Sequence, residues 1–202
     1  MLPAILLLLA AGGADLVDIR DVNPRIRLDI RYATMNNFTR AQVYDEAQCF
    51  LQADVARRLS AVDQDLKRQG LGLKVYDCYR PLSVQKKFWA LVPDERYVAN
   101  PAKGSRHNRG ASVDLTLVDA AGREVAMPTP YDDFTAKAHR DARDVAPEAV
   151  RNREILEKAM VRRGFLPLPT EWWHFDAPDW ERYPVLDIPF AEVTGRRAGA
   201  YR

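Results

Sequence analysis

The chain has 202 residues, of which 47% are hydrophobic and 29% are charged, a composition typical of a soluble protein with one substantial core. Its 30 Lys and Arg residues nearly balance its 28 Asp and Glu residues, leaving a net charge of +2. We therefore expect a single domain that does not bind nucleic acid or insert stably into a membrane, because binding nucleic acid or an anionic surface usually requires concentrated basic charge. The oligomeric state stays open.

An apolar run over residues 1–14 ends in small residues. It is shorter than the roughly 20 apolar residues of a membrane-spanning helix, and it resembles the apolar core and cleavage zone of a secretory signal, although no Lys or Arg precedes it. We predict a signal peptide or apolar leader at 1–14, a domain at 15–190 and a mobile tail at 191–202. The expected location is periplasmic or secreted, or cytoplasmic if the leader is not cleaved.

The sequence contains two cysteines, Cys49 and Cys78. An even count fits either one disulfide in an oxidising compartment or two buried thiols. Neither residue lies in a CxxC motif or beside a histidine, so neither is a good candidate for metal binding or nucleophilic catalysis.

In chain order, residues 25–32 alternate between polar and apolar side chains, which predicts a half-buried strand. Apolar positions then recur every three or four residues across 47–70, the pattern of a long amphipathic helix that stops at a glycine. Residues 71–75 alternate again and predict a strand. The proline at the start of 81–91 ends sheet pairing and can begin a helix.

A third alternating segment, residues 112–117, predicts a strand with Asp114 on its polar face. The turn and short apolar stretch at 119–126 predict a returning antiparallel strand. Residues 128–146 suggest a long functional loop or an irregular helix, and a helix is expected over 147–164. Together these elements predict an α+β fold with a small central antiparallel sheet flanked by helices.

Two imidazoles and one carboxylate can converge if the chain turns between them. His107 and Asp114 are seven residues apart with Gly110 in the interval, and His174 would arrive from a neighbouring strand. Such a set leaves a divalent zinc ion with an open fourth position, where the pKa of a bound water falls toward 7. These are the parts of a hydrolytic metal site.

Glu171 supplies a further carboxylate, three residues before His174. The aromatic residues that follow it favour a strand, so Glu171 should lie at a bend just outside that strand. From there it could act as a general base. Arg80, between Tyr79 and Pro81 at a strand end, is the best candidate for stabilising a developing oxyanion.

Three other interpretations stay open at this point. A zinc site can be purely structural, although such sites usually recruit cysteines. Two histidines and a carboxylate can hold iron for oxygen chemistry, but that chemistry has no need of the free carboxylate of Glu171. Ser105 could be the nucleophile of a Ser-His-Asp arrangement, although no strand-turn-helix elbow surrounds it.

Several segments resemble one known family. Residues 105–114 resemble the SxHxxGxAxD motif of the D-alanyl-D-alanine dipeptidases, which are zinc peptidases, and residues 171–174 resemble their ExxH motif. Residues 29–38 are similar to the family's amino-terminal signature, and residues 77–81 to the segment that carries its transition-state arginine. The four matches occur in the family's order, with one departure, Ser112 in place of a small apolar residue.

The resemblance implies that His107, Asp114 and His174 bind one zinc ion per chain. It also implies that Glu171 is the catalytic base and that Arg80 stabilises the oxyanion. The substrate-binding residues that it implies are Ser105, Tyr32, Phe38 and Asp132. Asp132 is suited to binding a free ammonium group, but the match to the family is ambiguous by one position here, so Asp133 could take this role instead.

The reaction implied is hydrolysis of the small-molecule substrate D-Ala-D-Ala to two D-Ala. One alternative is a D,D-carboxypeptidase or endopeptidase that acts on longer cell-wall peptides. Another is a zinc-bearing binding module without catalytic activity, but the presence of both Glu171 and Arg80 argues against it. The physiological role stays open between wall recycling, nutrient use and glycopeptide resistance.

Overall fold

A computed structural model describes residues 15–194 of the chain. The leader predicted at 1–14 and the part of the predicted tail from residue 195 onward lie outside the described residues. Within 15–194, no helix has the length and apolar character needed to cross a membrane.

The described chain forms an α+β fold, as the sequence predicts. Its helices and strands, in chain order, are β1 (Leu16–Asp18), α1 (Ile19–Val22), β2 (Arg27–Leu28), β3 (Phe50–Gln52), α2 (Ala53–Lys67), β4 (Gly72–Asp77), α3 (Leu82–Leu91), β5 (Ser112–Val118), α4 (Pro147–Arg162), β6 (Leu166–Pro167) and β7 (His174–Asp176).

Five strands form the central sheet in the order β2-β4-β5-β7-β6, and β1 pairs with β3 in a separate antiparallel ribbon. The pairs β4–β5, β5–β7 and β6–β7 are antiparallel, as predicted. In contrast, β2 runs parallel to β4, so the sheet is mixed. The long helix α2 lies between β2 and β4 in the chain, and parallel neighbours need a crossover of this kind.

Two predicted strands are shorter in the structure than their sequence pattern suggests. Of residues 25–32, only Arg27–Leu28 pair with β4, and Tyr32 lies in a short 3-10 helix. Tyr32 is nevertheless buried, because the chain turns it into the core. The returning strand predicted near residue 124 is reduced to a single bridge between Val118 and Glu124.

The predicted long helix begins later than its apolar periodicity indicates. Residues 50–52 pair with β1, so α2 starts only at Ala53 and ends at Lys67. Helices α3 and α4 lie where the sequence predicts helices, and each begins at a proline, Pro81 as the N-cap of α3 and Pro147 as the first residue of α4. At the end of the described chain, residues 190–194 are helical and Val193 is 4% exposed.

Cys49 and Cys78 form a disulfide, which decides between the two states that the sequence allows. The bond joins the residue before β3 to the residue after β4. Both cysteines are buried in the main core. The disulfide therefore fixes the end of β4, directly before the segment that carries Arg80.

Candidate active site

His107, Asp114 and His174 converge in the folded chain, and we call them the metal-ligand cluster. Asp114 on β5 and His174 at the start of β7 are direct partners across the two strands. Nδ1 of His174 lies 2.9 Å from Oδ1 of Asp114, and Nε2 of His107 lies 3.2 Å from Nδ1 of His174. One ligand atom from each residue lies within 4.8 Å of the others, so the three can hold a metal ion.

Gly110 makes the turn that brings His107 beside β5. His107 begins a 3-10 turn that ends at Gly110, whose φ of 63° is in the left-handed region. A side chain at this position would collide with the chain packed against it, because an added Cβ would lie 2.5 Å from Cδ2 of Leu16. Asp114 lies on the polar face of β5, but that face is buried as well.

Hydrogen bonds outside the cluster orient all three of its members. Nδ1 of His107 lies 2.6 Å from the carbonyl oxygen of Cys78, and a carbonyl can only accept, so this nitrogen carries the proton. Nε2 of His174 lies 2.8 Å from Oδ1 of Asp176. The Tyr131 hydroxyl donates to Oδ2 of Asp114 at 2.8 Å. These contacts leave Nε2 of His107, Nδ1 of His174 and Oδ1 of Asp114 directed at one another.

The electrostatics of the cluster suit a cation. Burial opposes charge on Asp114, but His107 and His174 lower the pKa of its carboxyl below the usual range. Burial likewise opposes charge on His174, yet Asp176 and Asp114 raise its pKa well above the usual value. The two carboxylates therefore favour positive charge at this position. A divalent cation can supply that charge and use the imidazole lone pair.

Glu171 lies in the turn that precedes β7, outside the strand, as its spacing from His174 requires. Its Oε2 is 3.9 Å from Nδ1 of His174. Burial raises the pKa of Glu171 to about 7; the charge on Asp114 adds to this effect, and the imidazoles oppose it. A carboxylate with a pKa near neutrality, beside a candidate metal site, suits proton transfer.

Arg80 lies on the wall of the same cavity as the cluster. Its Nη2 and Nε donate to Oδ2 of Asp77 at 2.6 and 3.2 Å, and its Nη1 donates to Oε1 of Gln85 at 2.8 Å. The guanidinium also lies over the ring of Phe88, 4.6 Å from its centroid. Burial lowers the pKa of Arg80, but Asp77 more than offsets this, so the group keeps its charge.

The substrate-binding candidates Tyr32, Phe38, Ser105 and Asp132 all line one cavity of about 590 Å³ that also contains the metal-ligand cluster. Asp132 accepts hydrogen bonds from the Tyr32 hydroxyl at 3.0 Å and from the Phe38 backbone N–H at 3.3 Å. Ser105 accepts a hydrogen bond from the backbone N–H of His107 at 3.2 Å, so it helps to hold the histidine turn.

Asp132 lines the cavity, and Asp133 is not among its lining residues. Asp132 has a φ of 62°, a left-handed conformation that aspartate tolerates better than most residues. Burial, reinforced by the charge on Asp114, raises the pKa of Asp132 to about 8. Asp133 instead accepts a hydrogen bond from the backbone of Thr135 at 2.8 Å.

Sequence reasoning missed three residues that support the site: Tyr131, Asp176 and Arg140. Asp176 is two residues after His174, and on a strand this spacing places both side chains on one face, a usable signal. Tyr131 and Arg140 lie in the long loop at 128–146 and show no comparable pattern. Only the packing of that loop reveals their partners.

This arrangement defines a class of protein. Two oriented imidazoles, an ionised buried carboxylate and a second carboxylate with a pKa near neutrality share one cavity, as in hydrolases that use a metal. The peptidase family M15, described as D-ala-D-ala dipeptidase, matches residues 13–194, and the chain belongs to this family.

Individual relatives agree with the family match. The chain is 35% identical over 177 residues to the D-alanyl-D-alanine dipeptidase of Escherichia coli K12, covering 88% of this chain and 92% of that relative. It is 32% identical over 187 residues to the protein of the same name in Enterococcus faecalis, covering 82% and 92%. A Streptomyces coelicolor protein with that name is 31% identical over 189 residues, covering 82% and 93%.

Proposed function

We propose that this protein hydrolyses the dipeptide D-Ala-D-Ala to two D-Ala, with one zinc ion held by His107, Asp114 and His174. The observation that carries the proposal is the convergence of this cluster with Glu171 in the cavity that also contains Asp132. Relatives over most of the chain are named D-alanyl-D-alanine dipeptidases, which supports the choice of substrate.

The metal is proposed from the chemistry of its ligands. Two imidazole nitrogens and one carboxylate oxygen are typical ligands of catalytic zinc. When bound, zinc supplies Lewis acidity and lowers the pKa of a coordinated water.

The protein's own residues then move the proton and stabilise charge. Glu171 takes a proton from the attacking water and passes it to the leaving nitrogen as the C–N bond breaks. The new carboxyl group then gives its remaining proton to the released amine, so the products are a carboxylate on one D-Ala and an ammonium on the other. Arg80, a permanent cation in the same cavity, stabilises the negative charge that develops on the carbonyl oxygen.

Asp132 supports a dipeptide as the substrate. Its carboxylate lies in an aromatic wall, where Phe38 packs against Phe88 and Phe134 with ring centroids 5.0 and 5.5 Å apart. Burial keeps the pKa of this carboxyl near 8, and an adjacent cation favours its ionised form. The free ammonium of a dipeptide is the cation available. A peptide that is extended at its amino terminus carries no ammonium at that position, so Asp132 selects against longer substrates.

A periplasmic or secreted location is part of the proposal. The disulfide between Cys49 and Cys78 supports it, because disulfides persist mainly in oxidising compartments. The apolar run at 1–14 has the character of a secretory signal.

The test measures metal content and substrate preference together. Purified protein is expected to contain close to one zinc per chain by elemental mass spectrometry. Its kcat/KM should be highest for D-Ala-D-Ala, compared with L-Ala-L-Ala and a pentapeptide that ends in D-Ala-D-Ala. A higher value for the pentapeptide would show a carboxypeptidase instead, and no turnover of any peptide by the zinc-loaded protein would refute the proposal.

Tyr131→Phe is expected to weaken zinc binding by about tenfold, since partners of this kind typically contribute 10- to 100-fold to metal affinity. The change removes only the hydroxyl that donates to Oδ2 of Asp114 at 2.8 Å. Competition with a chromophoric chelator measures the effect. Tyr76→Phe is the matched control, because its ring lies 4.7 Å from that of Tyr131 while its hydroxyl bonds Glu124, outside the cluster. Equal zinc affinities in the two variants would contradict the prediction.

A further inference from the structure

The turn that carries Glu171 is poorly fixed by its own hydrogen bonds. It joins β6 to β7, and two of its backbone contacts, Glu171 N to Leu168 O and His174 N to Glu171 O, are each 3.4 Å long. N–H···O bonds are usually 2.7–3.2 Å, so contacts of this length are weak. Something outside the turn must hold the direction of the Glu171 side chain.

Arg140 provides that external support. Its Nε donates to the carbonyl oxygen of Leu168 at 2.8 Å, and its Nη2 donates to the carbonyl oxygen of His174 at 2.7 Å. These carbonyl groups lie on either side of Glu171 in the chain. The backbone N–H of Arg140 donates to Pro169, within the same turn, at 2.9 Å. Because a guanidinium is planar and rigid, it sets the distance between the two sides of the turn.

The guanidinium of Arg140 is itself held in place. It lies 4.3 Å from the ring centroid of Phe175, and its Nη1 donates to Oε2 of Glu157 at 3.2 Å. Its side chain is only 9% exposed. Burial lowers the pKa of Arg140 to about 10, against the opposing charge of Glu157, so it stays protonated at neutral pH. The loop that carries Arg140 makes one more bond to the turn: the carbonyl oxygen of Ala138, two residues before Arg140, accepts from the backbone N–H of Trp172 at 3.0 Å.

We propose that Arg140 is a positioning residue for the general base. Its guanidinium holds the turn between β6 and β7 in the shape that directs the Glu171 carboxylate toward the metal-ligand cluster. Arg140 is not among the residues that line the described cavity, so it acts through the turn and not on the substrate. This inference rests on the proposed function, in which Glu171 is the base.

The proposal predicts a loss in kcat rather than in binding. Arg140→Met keeps an unbranched side chain and removes every side-chain donor, while the backbone N–H that bonds Pro169 stays. It should lower kcat for D-Ala-D-Ala by about 10- to 100-fold, because a displacement of about 1 Å at a reacting group can cost about 10²-fold. KM and zinc affinity should each change by less than about threefold, since the cavity and the ligand side chains keep their partners. Arg140→Lys, with a single donating head, should fall between wild type and Arg140→Met.

Arg143→Met is the matched control. Arg143 lies three residues further along the same loop, but its side chain is 75% exposed and its contact with Glu154 is 3.7 Å long. The kcat of the Arg143→Met variant should match that of the wild type. An Arg140→Met enzyme with wild-type kcat, or one whose loss lies only in KM, would overturn the proposal.

A double-mutant cycle separates positioning from a general structural effect. Glu171→Asp shortens the base, so its carboxylate is already displaced in that background. Arg140→Met should then lower kcat by much less than it does in the wild type. Equal fold-losses in both backgrounds would show that Arg140 acts elsewhere and would overturn the proposal. If Arg140→Met does not fold, as judged by circular dichroism and zinc content, the same cycle with Arg140→Lys decides the question.

Failure of this inference can be told apart from failure of the proposed function. A zinc-loaded wild type that does not cleave D-Ala-D-Ala, or a Glu171→Gln enzyme with full activity, refutes the function and with it the role given to Arg140. An active wild type, an inactive Glu171→Gln and a fully active Arg140→Met overturn the positioning role alone.

Discussion

Glu171→Gln is expected to lower kcat for D-Ala-D-Ala by about 10²- to 10⁴-fold, the range that a positioned general base contributes. The amide has nearly the same shape as the carboxylate but cannot accept the proton of the attacking water. Glu171 is not part of the metal-ligand cluster, so the variant should keep the wild-type zinc content. Elemental analysis and steady-state kinetics on the same sample measure both quantities.

The pH dependence supplies a second readout for this variant. Burial raises the pKa of Glu171 to about 7, and a general base must be deprotonated to work. Wild-type kcat should therefore fall as the pH drops through the pKa of this group, and the residual activity of Glu171→Gln should lack that decline. Glu154→Gln, at a half-exposed position on α4, is the control and should keep both the rate and the pH profile. Loss of zinc from Glu171→Gln, or a wild-type rate, would contradict the assignment.

Removal of the disulfide is expected to lower the free energy of unfolding by about 2–4 kcal/mol. The bond closes a loop between residues 29 apart in sequence, and cross-linking such a loop restricts the unfolded chain. Denaturant titration of the Cys49→Ala/Cys78→Ala double variant measures the change. Wild-type protein reduced with dithiothreitol is the control, because it loses the cross-link while keeping both sulfur atoms.

The same change should also weaken the metal site. The carbonyl oxygen of Cys78 lies 2.6 Å from Nδ1 of His107 and orients that imidazole. Without the disulfide the chain after β4 has more freedom, so zinc affinity should fall, with the chelator competition described above as the measurement. A stability within about 0.5 kcal/mol of the wild type, the scatter typical of neutral surface changes, would show that the core holds this segment without the cross-link.

Much of the fold follows from local sequence patterns. Apolar periodicity marks α2, and prolines mark the starts of α3 and α4, because burial of one face and the missing N–H of proline act locally. Alternation likewise marks β4 and β5. The parallel pairing of β2 with β4 has no local signal, since strand direction depends on how the intervening chain packs.

The candidate site also has features that the sequence predicts and features that it does not. The spacing of His107, Gly110 and Asp114 predicts that an imidazole and a carboxylate meet. The aromatic residues after Glu171 favour a strand and so predict that Glu171 lies at a bend just outside it. The choice between Asp132 and Asp133 could not be made from sequence, because both residues have the same chemistry and only the backbone conformation separates them. In the structure Asp132 has the left-handed backbone and lines the cavity.

By itself the sequence determined the residue types that metal chemistry requires and their order along the chain, because ligand identity and turn-forming glycines are properties of single residues and short spacings. Only the tertiary structure decided what holds those residues in place: the Cys78 carbonyl on His107, Tyr131 on Asp114 and Arg140 on the Glu171 turn. These contacts join residues 17 or more positions apart. They depend on which loops pack together, and no local periodicity encodes that.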